Sequence, residues 1–245
     1  MSGNMQFIET SSVAYSDQSL TVPYSAPSTQ QLKVQSVCAY NATTAENPMG
    51  IFHSVTNNQF KVFKLLAAGD TEVTTAVQAG TATAIFNTTN NDGVLYQSKN
   101  KFNMVTFNVS QAQTGSPVYT YKYWNGSTFA TLTLINTPTY STTGIKAIVF
   151  DAPTDWVVGH GGETADNEMY SIQVISTTAP SQAVNINSIK VCKMLKFADI
   201  VPQGGSLNVD FGDHPYLLQV GETIIPFFSY TNSLNRIDMT YKINP

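Results

Sequence analysis

The chain has 245 residues, a net charge of −4, and only 11% charged residues. Ordinary soluble domains carry roughly a quarter, so hydroxyls and amides must do much of the solvation, and Thr, Ser and Asn supply 30, 21 and 20 residues. A pI near 5.2 and a single arginine, Arg236, leave no basic stripe, which argues against a nucleic-acid partner. The hydrophobic content of 42% argues against disorder.

Targeting, membrane and disulfide signals are weak. The opening residues MSGNMQFIET lack a cationic start followed by an apolar run, so no signal peptide is expected. No run approaches about eighteen apolar residues, so no membrane span is expected. Cys38 and Cys192 lie in apolar runs and are predicted to be buried thiols rather than a disulfide. Four Asn-x-Ser/Thr sites are read as accidents of composition: Asn41, Asn87, Asn108 and Asn125.

Alternating apolar and polar residues predict β-strands along most of the chain. In chain order the predicted strands are Leu32–Tyr40, Val105–Val109, Tyr170–Val174 and Asn235–Ile243. In the first strand, one face carries Leu32, Val34, Ser36, Cys38 and Tyr40, and the other carries Lys33 and Gln35. In the last strand, one face carries Ile237, Met239, Tyr241 and Ile243. Asp70–Ala79 is the one stretch that can be read as a helix, although it contains poor helix formers. Short strands separated by Asn- and Gly-rich turns predict an all-β fold of sandwiches or barrels.

A β-hairpin is predicted around Asn125-Gly126, because a type I′ turn needs positive φ at both central residues. A two-residue loop would pair Tyr121 with Ala130. One face would then carry Tyr119, Tyr121, Tyr123, Ala130, Leu132 and Leu134 toward the core. A longer loop with a bulge would reverse the two faces.

The same hairpin supplies the candidate contact loop. With the tyrosines on the core face, the opposite face presents two other aromatic side chains near the loop tip. The candidate binding residues are Trp124, Asn125, Gly126 and Phe129.

Turn-rich segments also divide the chain. The segment 91–180 begins at Asn-Asn-Asp-Gly, ends at Thr-Thr-Ala-Pro-Ser, and holds both tryptophans and the hairpin. Turn-rich bounds on both sides are typical of an inserted domain with its termini close together. The sequence therefore predicts an outer β-sandwich domain from 1–90 plus 181–245 and an inserted β-sandwich domain from 91–180. A sequential two-domain chain, divided near 90–110, is the alternative.

Two patterns resemble virion structural proteins of tailed bacteriophages. The outer pattern, similar to small phage β-sandwich proteins, is Thr21-Val-Pro23, Val34–Asn41, Leu218–Ile224 and Ile237–Tyr241. The inner pattern, similar to a β-sandwich module of phage and other viral surface proteins, is Lys101-Phe102, Tyr121–Phe129, Phe150–Trp156 and Tyr170–Val174. Such modules often place an aromatic residue and an arginine in the last of these strands, where this chain has Ser171 and Gln173.

The resemblance implies two Ig-like or jelly-roll-like sandwiches and a non-enzymatic role in the virion after synthesis in the host cytoplasm. The protein would be a capsid decoration or cement protein, or a head–tail accessory component. It would need no cofactor and would bind other capsid or tail proteins as a homo-oligomer. Low charge and long β edges fit surfaces buried in an assembly.

A receptor- or carbohydrate-binding module of a phage fibre is the alternative function. In that case Trp124, Phe129 and Trp156 would stack on the sugar rings of a host glycan. Core packing is the competing interpretation of the aromatic side chains, and it is favoured for Tyr119, Tyr121 and Trp156 and, by a smaller margin, for Trp124.

Neither a catalytic residue nor a metal site is predicted. His160-Gly-Gly-Glu163, followed by Asp166 and Glu168, matches no established cation motif and is interpreted as a solvated acidic loop. His53 and His214 have no Ser, Cys or paired carboxylate motif nearby, so nucleophilic catalysis is not expected. No Gly-rich loop leads into a helix, which argues against a phosphate cradle.

Overall fold

The computed structural model describes residues 6–12, 24–25, 31–67, 69–159, 168–211, 213–214, 216–219, 222–228 and 236–244. In 6–12, 24–25, 31–32 and 236–244 the description covers the backbone alone, apart from the side chain of Met239. Within these ranges the protein has nineteen strands, one short α-helix and one 3-10 helix. The all-β fold class is confirmed. No helix in these ranges is long and apolar enough to cross a membrane.

The elements follow one another along the chain with short connections. The first part contains β1 (Gln6–Ser12), β2 (Tyr24–Ser25), β3 (Gln31–Tyr40), β4 (Asn47–Ser54), a 3-10 turn (Asn57–Gln59), β5 (Phe60–Leu65), β6 (Thr71–Glu72), α1 (Thr74–Gln78), β7 (Thr83–Phe86) and β8 (Gly93–Ser98). The second part contains β9 (Met104–Gln111), β10 (Val118–Trp124), β11 (Phe129–Thr131), β12 (Leu134–Asn136), β13 (Gly144–Phe150), β14 (Tyr170–Thr178), β15 (Val184–Val201), β16 (Ser206–Asp210), β17 (Tyr216–Leu218), β18 (Thr223–Phe228) and β19 (Arg236–Asn244).

The chain divides into two compact units. Unit 1 is Met1–Thr56 together with Cys192–Pro245, and unit 2 is Asn57–Val191. The division falls inside β15, whose first residues belong to unit 2 and whose remainder belongs to unit 1. The boundaries taken from the turn signals, after 90 and after 180, both lie inside unit 2. Two nested sandwich domains stay a prediction.

Unit 1 contains two groups of paired strands. In the first, β3 lies between β19 and the pair β16 and β17, and β1 pairs with the far edge of β19. In the second, β4 lies between β15 and β18, and β2 pairs with β18. Side chains from both groups form one buried apolar cluster: Val34, Val37, Ala39, Met49, Ile51, Val201, Leu207, Leu218, Ile224, Phe228 and Met239. The core of unit 1 therefore draws on both of its chain segments.

A β-bulge in β3 corrects the predicted face of this strand. On β19, Thr240 pairs with Ser36 and the next residue, Tyr241, pairs with Val34, so Gln35 is an extra residue. A bulge shifts the alternation by one position, and the residues buried after it are Val37 and Ala39 rather than Ser36, Cys38 and Tyr40. Cys192 is buried as predicted, whereas Cys38 is only half-buried.

The final strand was predicted accurately in position. The predicted Asn235–Ile243 compares with the observed β19, Arg236–Asn244. Met239 of the predicted apolar face is buried. The side chains of Ile237, Tyr241 and Ile243 lie outside the described part of the structure, so the rest of that face stays a prediction.

The side chain of Asn41 joins two turns of unit 1. Asn41 is fully buried, and its Nδ2 donates hydrogen bonds to the carbonyl oxygens of Ala45 (3.0 Å), Val201 (2.7 Å) and Pro202 (3.0 Å). Its Oδ1 accepts from the backbone N–H of Thr43 (3.0 Å) and from the Thr43 hydroxyl (2.6 Å). The amide thus satisfies a backbone carbonyl 160 residues away, and its burial excludes Asn41 as a glycosylation acceptor in the folded state.

Unit 2 contains a six-stranded sheet in the order β11-β10-β14-β8-β5-β6. Its other strands run in the order β12-β13-β9-β15, with β7 also on β15. The predicted strands form at β9 and β14, and most of their predicted apolar faces are buried: Val105, Phe107, Val109, Ile172 and Val174. Tyr170 of the predicted β14 face is only half-buried. Side chains of the opposite faces are buried too, namely Met104, Thr106 and Ser171.

The helix predicted over Asp70–Ala79 is only one turn long. α1 covers Thr74–Gln78, because Thr and Val restrict χ1 and favour helix weakly. The Thr74 hydroxyl instead accepts a hydrogen bond from the backbone N–H of Val62 at 2.9 Å. α1 therefore serves to satisfy the backbone of β5.

We predict that Asn41→Ala lowers the free energy of unfolding by about 2–4 kcal/mol, because several buried backbone groups lose their partner. The measurement is urea denaturation followed by far-UV circular dichroism. Asn100→Ala is the matched control, since Asn100 is exposed and its loss should change stability by no more than about 0.5 kcal/mol. Equal midpoints for the two variants would contradict a structural role for the Asn41 amide.

Candidate functional site

The hairpin that carries the candidate contact loop forms, but with a different loop length. Trp124 pairs with Phe129 and Tyr123 pairs with Ala130, so the loop has four residues, 125–128, and the predicted two-residue turn is wrong. The register moves by two positions, an even number, which leaves the faces of both strands unchanged. Trp124 and Phe129 therefore share a face, as expected.

Asn125 determines the longer loop. Its Oδ1 accepts hydrogen bonds from the backbone N–H groups of Ser127 (3.1 Å) and Thr128 (2.9 Å) and from the Ser127 hydroxyl (3.1 Å). The backbone N–H of Asn125 donates to the Thr128 carbonyl at 3.2 Å, and Gly126 has a positive φ of 98°. This is an Asx-type turn, in which a side-chain oxygen replaces a backbone acceptor. The loop is thereby ordered by its own hydrogen bonds.

The two aromatic side chains at the base of the loop contact each other. The rings of Trp124 and Phe129 are 5.4 Å apart in a T-shaped arrangement, a geometry that contributes about 0.5–1.5 kcal/mol beyond burial. Both side chains are half-buried. Phe129 also packs on the buried cluster of Phe63, Leu65 and Leu95, which ties the hairpin tip to the six-stranded sheet.

Val157 adds an exposed apolar side chain beside the loop. Its backbone N–H donates to the carbonyl of Trp124 at 3.3 Å, and a Cβ placed on Gly126 would lie 3.1 Å from Val157 Cγ2. The Val157 side chain is 41% exposed. Sequence reasoning missed Val157, because only the fold brings it to the hairpin. We call Trp124, the loop 125–128, Phe129 and Val157 the contact surface.

The tryptophan next to Val157 belongs to the core. Trp156 is 1% exposed, and its Nε1 donates to the Ser171 carbonyl at 3.0 Å. Its ring contacts Phe102, with centroids 5.0 Å apart. Core packing of Trp156 is confirmed, and a three-ring sugar platform that includes it is wrong. The contact surface contains only Trp124 and Phe129 as aromatic groups.

A cleft lies beside the contact surface. It encloses about 300 Å³ and is lined by Tyr123, Thr131, Thr133, Ile135, Asp151, Ala152, Pro153 and Thr154. The Tyr123 hydroxyl donates to Asp155 Oδ1 at 2.8 Å, and this hydrogen bond links the hairpin to the chain segment that contains Asp155. The walls combine hydroxyls, one carboxylate and small apolar surfaces.

Unit 1 contains a polar group that sequence reasoning did not find. His53 Nδ1 lies 2.9 Å from the Tyr216 hydroxyl, and His53 Nε2 lies 2.9 Å from Glu222 Oε2, at ion-pair distance but not aligned as a hydrogen bond. The Gln219 backbone N–H donates to the same Glu222 carboxylate oxygen at 2.8 Å. Burial, and then the nearby Glu222, raises the pKa of Tyr216, so the phenol stays protonated at neutral pH. The group holds β17 and β18 against β4.

Other titratable residues are dispersed. His214 is exposed. His160, Glu163 and Asp166 of the predicted acidic loop lie outside the described residues, and Glu168 is exposed. Among the described side chains, no group of three or more His, Cys, Asp or Glu residues is placed to hold a metal ion.

Comparison with known proteins does not assign the chain to a family. No protein-family model, curated protein or solved structure matches it. The resemblance to bacteriophage virion proteins stays a prediction.

We predict that Gly126→Ala destabilises the protein more than Gly144→Ala. Both glycines have positive φ, 98° and 104°, so each alanine should cost roughly 1–2 kcal/mol. Only Gly126 would also press its new Cβ against Val157, whereas nothing lies within 4 Å of a Cβ at Gly144. Thermal unfolding of the two variants measures the difference.

Val157→Ala in the Gly126→Ala background supplies the control. Removing the Val157 methyl groups should recover the excess loss of stability. Equal losses in Gly126→Ala and Gly144→Ala, with no recovery, would show that the loop does not rest on Val157.

Proposed function

We propose that this chain is a non-enzymatic structural protein of a virion, a capsid decoration or cement protein or a head–tail accessory component, that binds other virion proteins through the contact surface. The observation that carries the proposal is the ordered hairpin tip with a half-buried Trp124–Phe129 pair beside exposed Val157. Tryptophan and other aromatic residues near the centre of an interface supply most of the binding energy in many complexes.

The order of the loop favours binding to a partner. Asn125 already satisfies the backbone of the loop, and Phe129 is already packed on the sheet. A surface that is fixed before binding loses less side-chain and loop entropy on association. The exposed Ser127 and Thr128 surround the apolar centre with neutral hydroxyls, and depletion of charge is typical of interface centres.

Self-association is part of the proposal. The low charge of the chain, 11% of residues, reduces electrostatic repulsion between copies. Homo-oligomers with closed symmetry are the common assembly of such chains. The contact surface would then be buried either between copies or against a capsid or tail protein.

We predict that Trp124→Ala weakens self-association of the purified protein at least tenfold, because truncating a hot-spot residue costs about 2 kcal/mol or more of binding. The melting temperature should fall by only a few degrees, because the half-buried ring loses its contact with Phe129 but leaves no core cavity. Sedimentation velocity over a concentration series measures it. Val118→Ala is the matched control, since Val118 is 52% exposed at the other end of β10. Failure of Trp124→Ala to fold would mean that Trp124 is a core residue. Unchanged self-association would mean that the contact surface is not part of the interface between copies.

Carbohydrate binding is the second candidate, and the cleft favours it. Its lining combines the Asp151 carboxylate and threonine hydroxyls with the ring of Tyr123, the chain neighbour of Trp124, and a pocket wall with an aromatic ring and a few polar groups suits a small polar ligand. A glycan array separates the two functions. Glycan binding that is lost in both Trp124→Ala and Asp151→Asn would support a receptor-binding module, and a blank array with intact self-association would exclude it.

We further propose that the two units are β-sandwich domains and that the second is inserted into the first. The buried cluster of unit 1 combines residues from both of its segments, and Ser54 pairs directly with Cys192 across the ends of the insertion. Removing unit 2 would therefore leave two chain ends on neighbouring strands.

We predict that residues 1–56, joined to 192–245 by a short Gly/Ser linker, fold cooperatively, and that 57–191 fold separately. An insertion leaves its host core intact when removed, because its ends are already adjacent. Urea denaturation of each product, compared with the full chain, is the measurement. An unfolded joined product beside a folded 1–100 fragment would support the sequential alternative.

A further inference from the structure

The interior of unit 2 holds three phenolic hydroxyls for which the described part of the chain supplies no hydrogen-bond partner. The hydroxyl oxygens of Tyr96, Tyr121 and Tyr140 are buried, and the described residues offer none of them a hydrogen-bond partner. Tyr96 is 0% and Tyr140 1% exposed. The neighbouring Tyr119 differs, because its hydroxyl donates to Gln113 Oε1.

The strand register places Tyr96 and Tyr121 on one side of the six-stranded sheet. Ile172 of β14 pairs with Tyr123 of β10 on one side and with Tyr96 of β8 on the other. Directly paired residues point to the same face, and so do residues two apart on one strand. Tyr96 therefore shares a face with Tyr121.

Tyr140 approaches from the connection between β12 and β13. Its ring lies 4.8 Å from the ring of Tyr119 and stacks on Phe107 at 5.7 Å. Phe86 contacts both Tyr119 and Tyr140, at 4.6 Å and 5.2 Å. The Tyr140 side chain is thus packed among aromatic rings, which accept hydrogen bonds only weakly.

All three phenols are neutral at physiological pH. Burial raises the pKa of Tyr121 to about 12. Burial, followed by the nearby phenols, also raises the pKa of Tyr96 and that of Tyr140. Each hydroxyl therefore offers one donor and acceptor lone pairs. A direct bond between Tyr121 and Tyr140 does not account for the group, since their geometry falls short of a formed hydrogen bond and Tyr96 would still lack a partner.

We propose that the hydroxyls of Tyr96, Tyr121 and Tyr140 form a binding site for buried water in the core of unit 2. More than about 90% of buried polar groups in native proteins have a partner, and a buried water typically makes about three hydrogen bonds to groups that would otherwise lack one. Water fits because it both donates and accepts, as each phenol does. A bare ion would lose its hydration among neutral aromatic walls without a counter-charge.

The first test is the sign of the stability change on removing each hydroxyl. Tyr96→Phe, Tyr121→Phe and Tyr140→Phe should each lower the melting temperature by about 2–4 °C, because each variant leaves the water one partner short. Tyr123→Phe, which removes a hydroxyl bonded to Asp155, calibrates the loss for a satisfied tyrosine. An unchanged or higher melting temperature in the three core variants would overturn the proposal, since it would mean that the hydroxyls have no partner.

The second test detects the water in the unaltered protein. Oxygen-17 magnetic relaxation dispersion of the unaltered protein should show long-lived internal water. The amplitude of this dispersion should be smaller in Tyr121→Phe and in the double variant Tyr96→Phe/Tyr140→Phe. A dispersion that is absent, or that the variants leave unchanged, would overturn the proposal even if a variant folds poorly. Double-variant cycles distinguish a direct phenol–phenol bond: coupling confined to Tyr121 and Tyr140, with Tyr96 independent, would also overturn it.

Discussion

The buried amide of Asn41 illustrates the constraint on which this structure depends, namely that neutral side chains satisfy the buried backbone. Its Nδ2 serves three carbonyls, while its own backbone N–H and carbonyl bond to Gly205 and Gly204. In unit 2 the amide of Asn136 donates to the Ala147 carbonyl at 2.7 Å in the same way. Such bonds carry no penalty for desolvating a charge, so a chain with few ionisable groups can build buried junctions far apart in sequence.

The strands were predictable because alternation is a local signal, and they were mispredicted where one residue breaks it. Val105, Phe107 and Val109 occupy an uninterrupted run, and all three are buried as expected. In β3 the extra residue Gln35 moves Cys38 off the core face. A bulge depends on how the partner strand pairs, and that information is absent from the alternating pattern itself. The same is true of the unit boundaries, which depend on contacts rather than on turn residues.

In the hairpin, the predicted strand faces are correct although the predicted loop length is wrong. The Asn-Gly pair was interpreted as a two-residue turn, but the Asn125 side chain recruits the N–H groups of Ser127 and Thr128. The pairing moved by two residues and the faces did not change, so Trp124 and Phe129 stayed together at the tip. Val157 was not predictable, because it reaches the loop from another connection. Likewise the contact between His53 and Glu222 joins residues far apart in the chain.

The contact surface and the buried hydroxyls of Tyr96, Tyr121 and Tyr140 have one feature in common, which is that both consist of uncharged polar groups beside aromatic rings. At the surface, the Asn125 side-chain amide orders the loop by accepting from one hydroxyl and two backbone N–H groups, so the aromatic pair is held in place without an ion pair. In the interior, phenols supply polar groups that aromatic packing cannot satisfy, and water is the smallest neutral partner that can. An assembly protein gains from this arrangement, because neutral polar groups around an apolar centre can be buried against another protein with less desolvation than charges require. The proposed binding surface and the buried phenols therefore both depend on neutral polar groups rather than on charges.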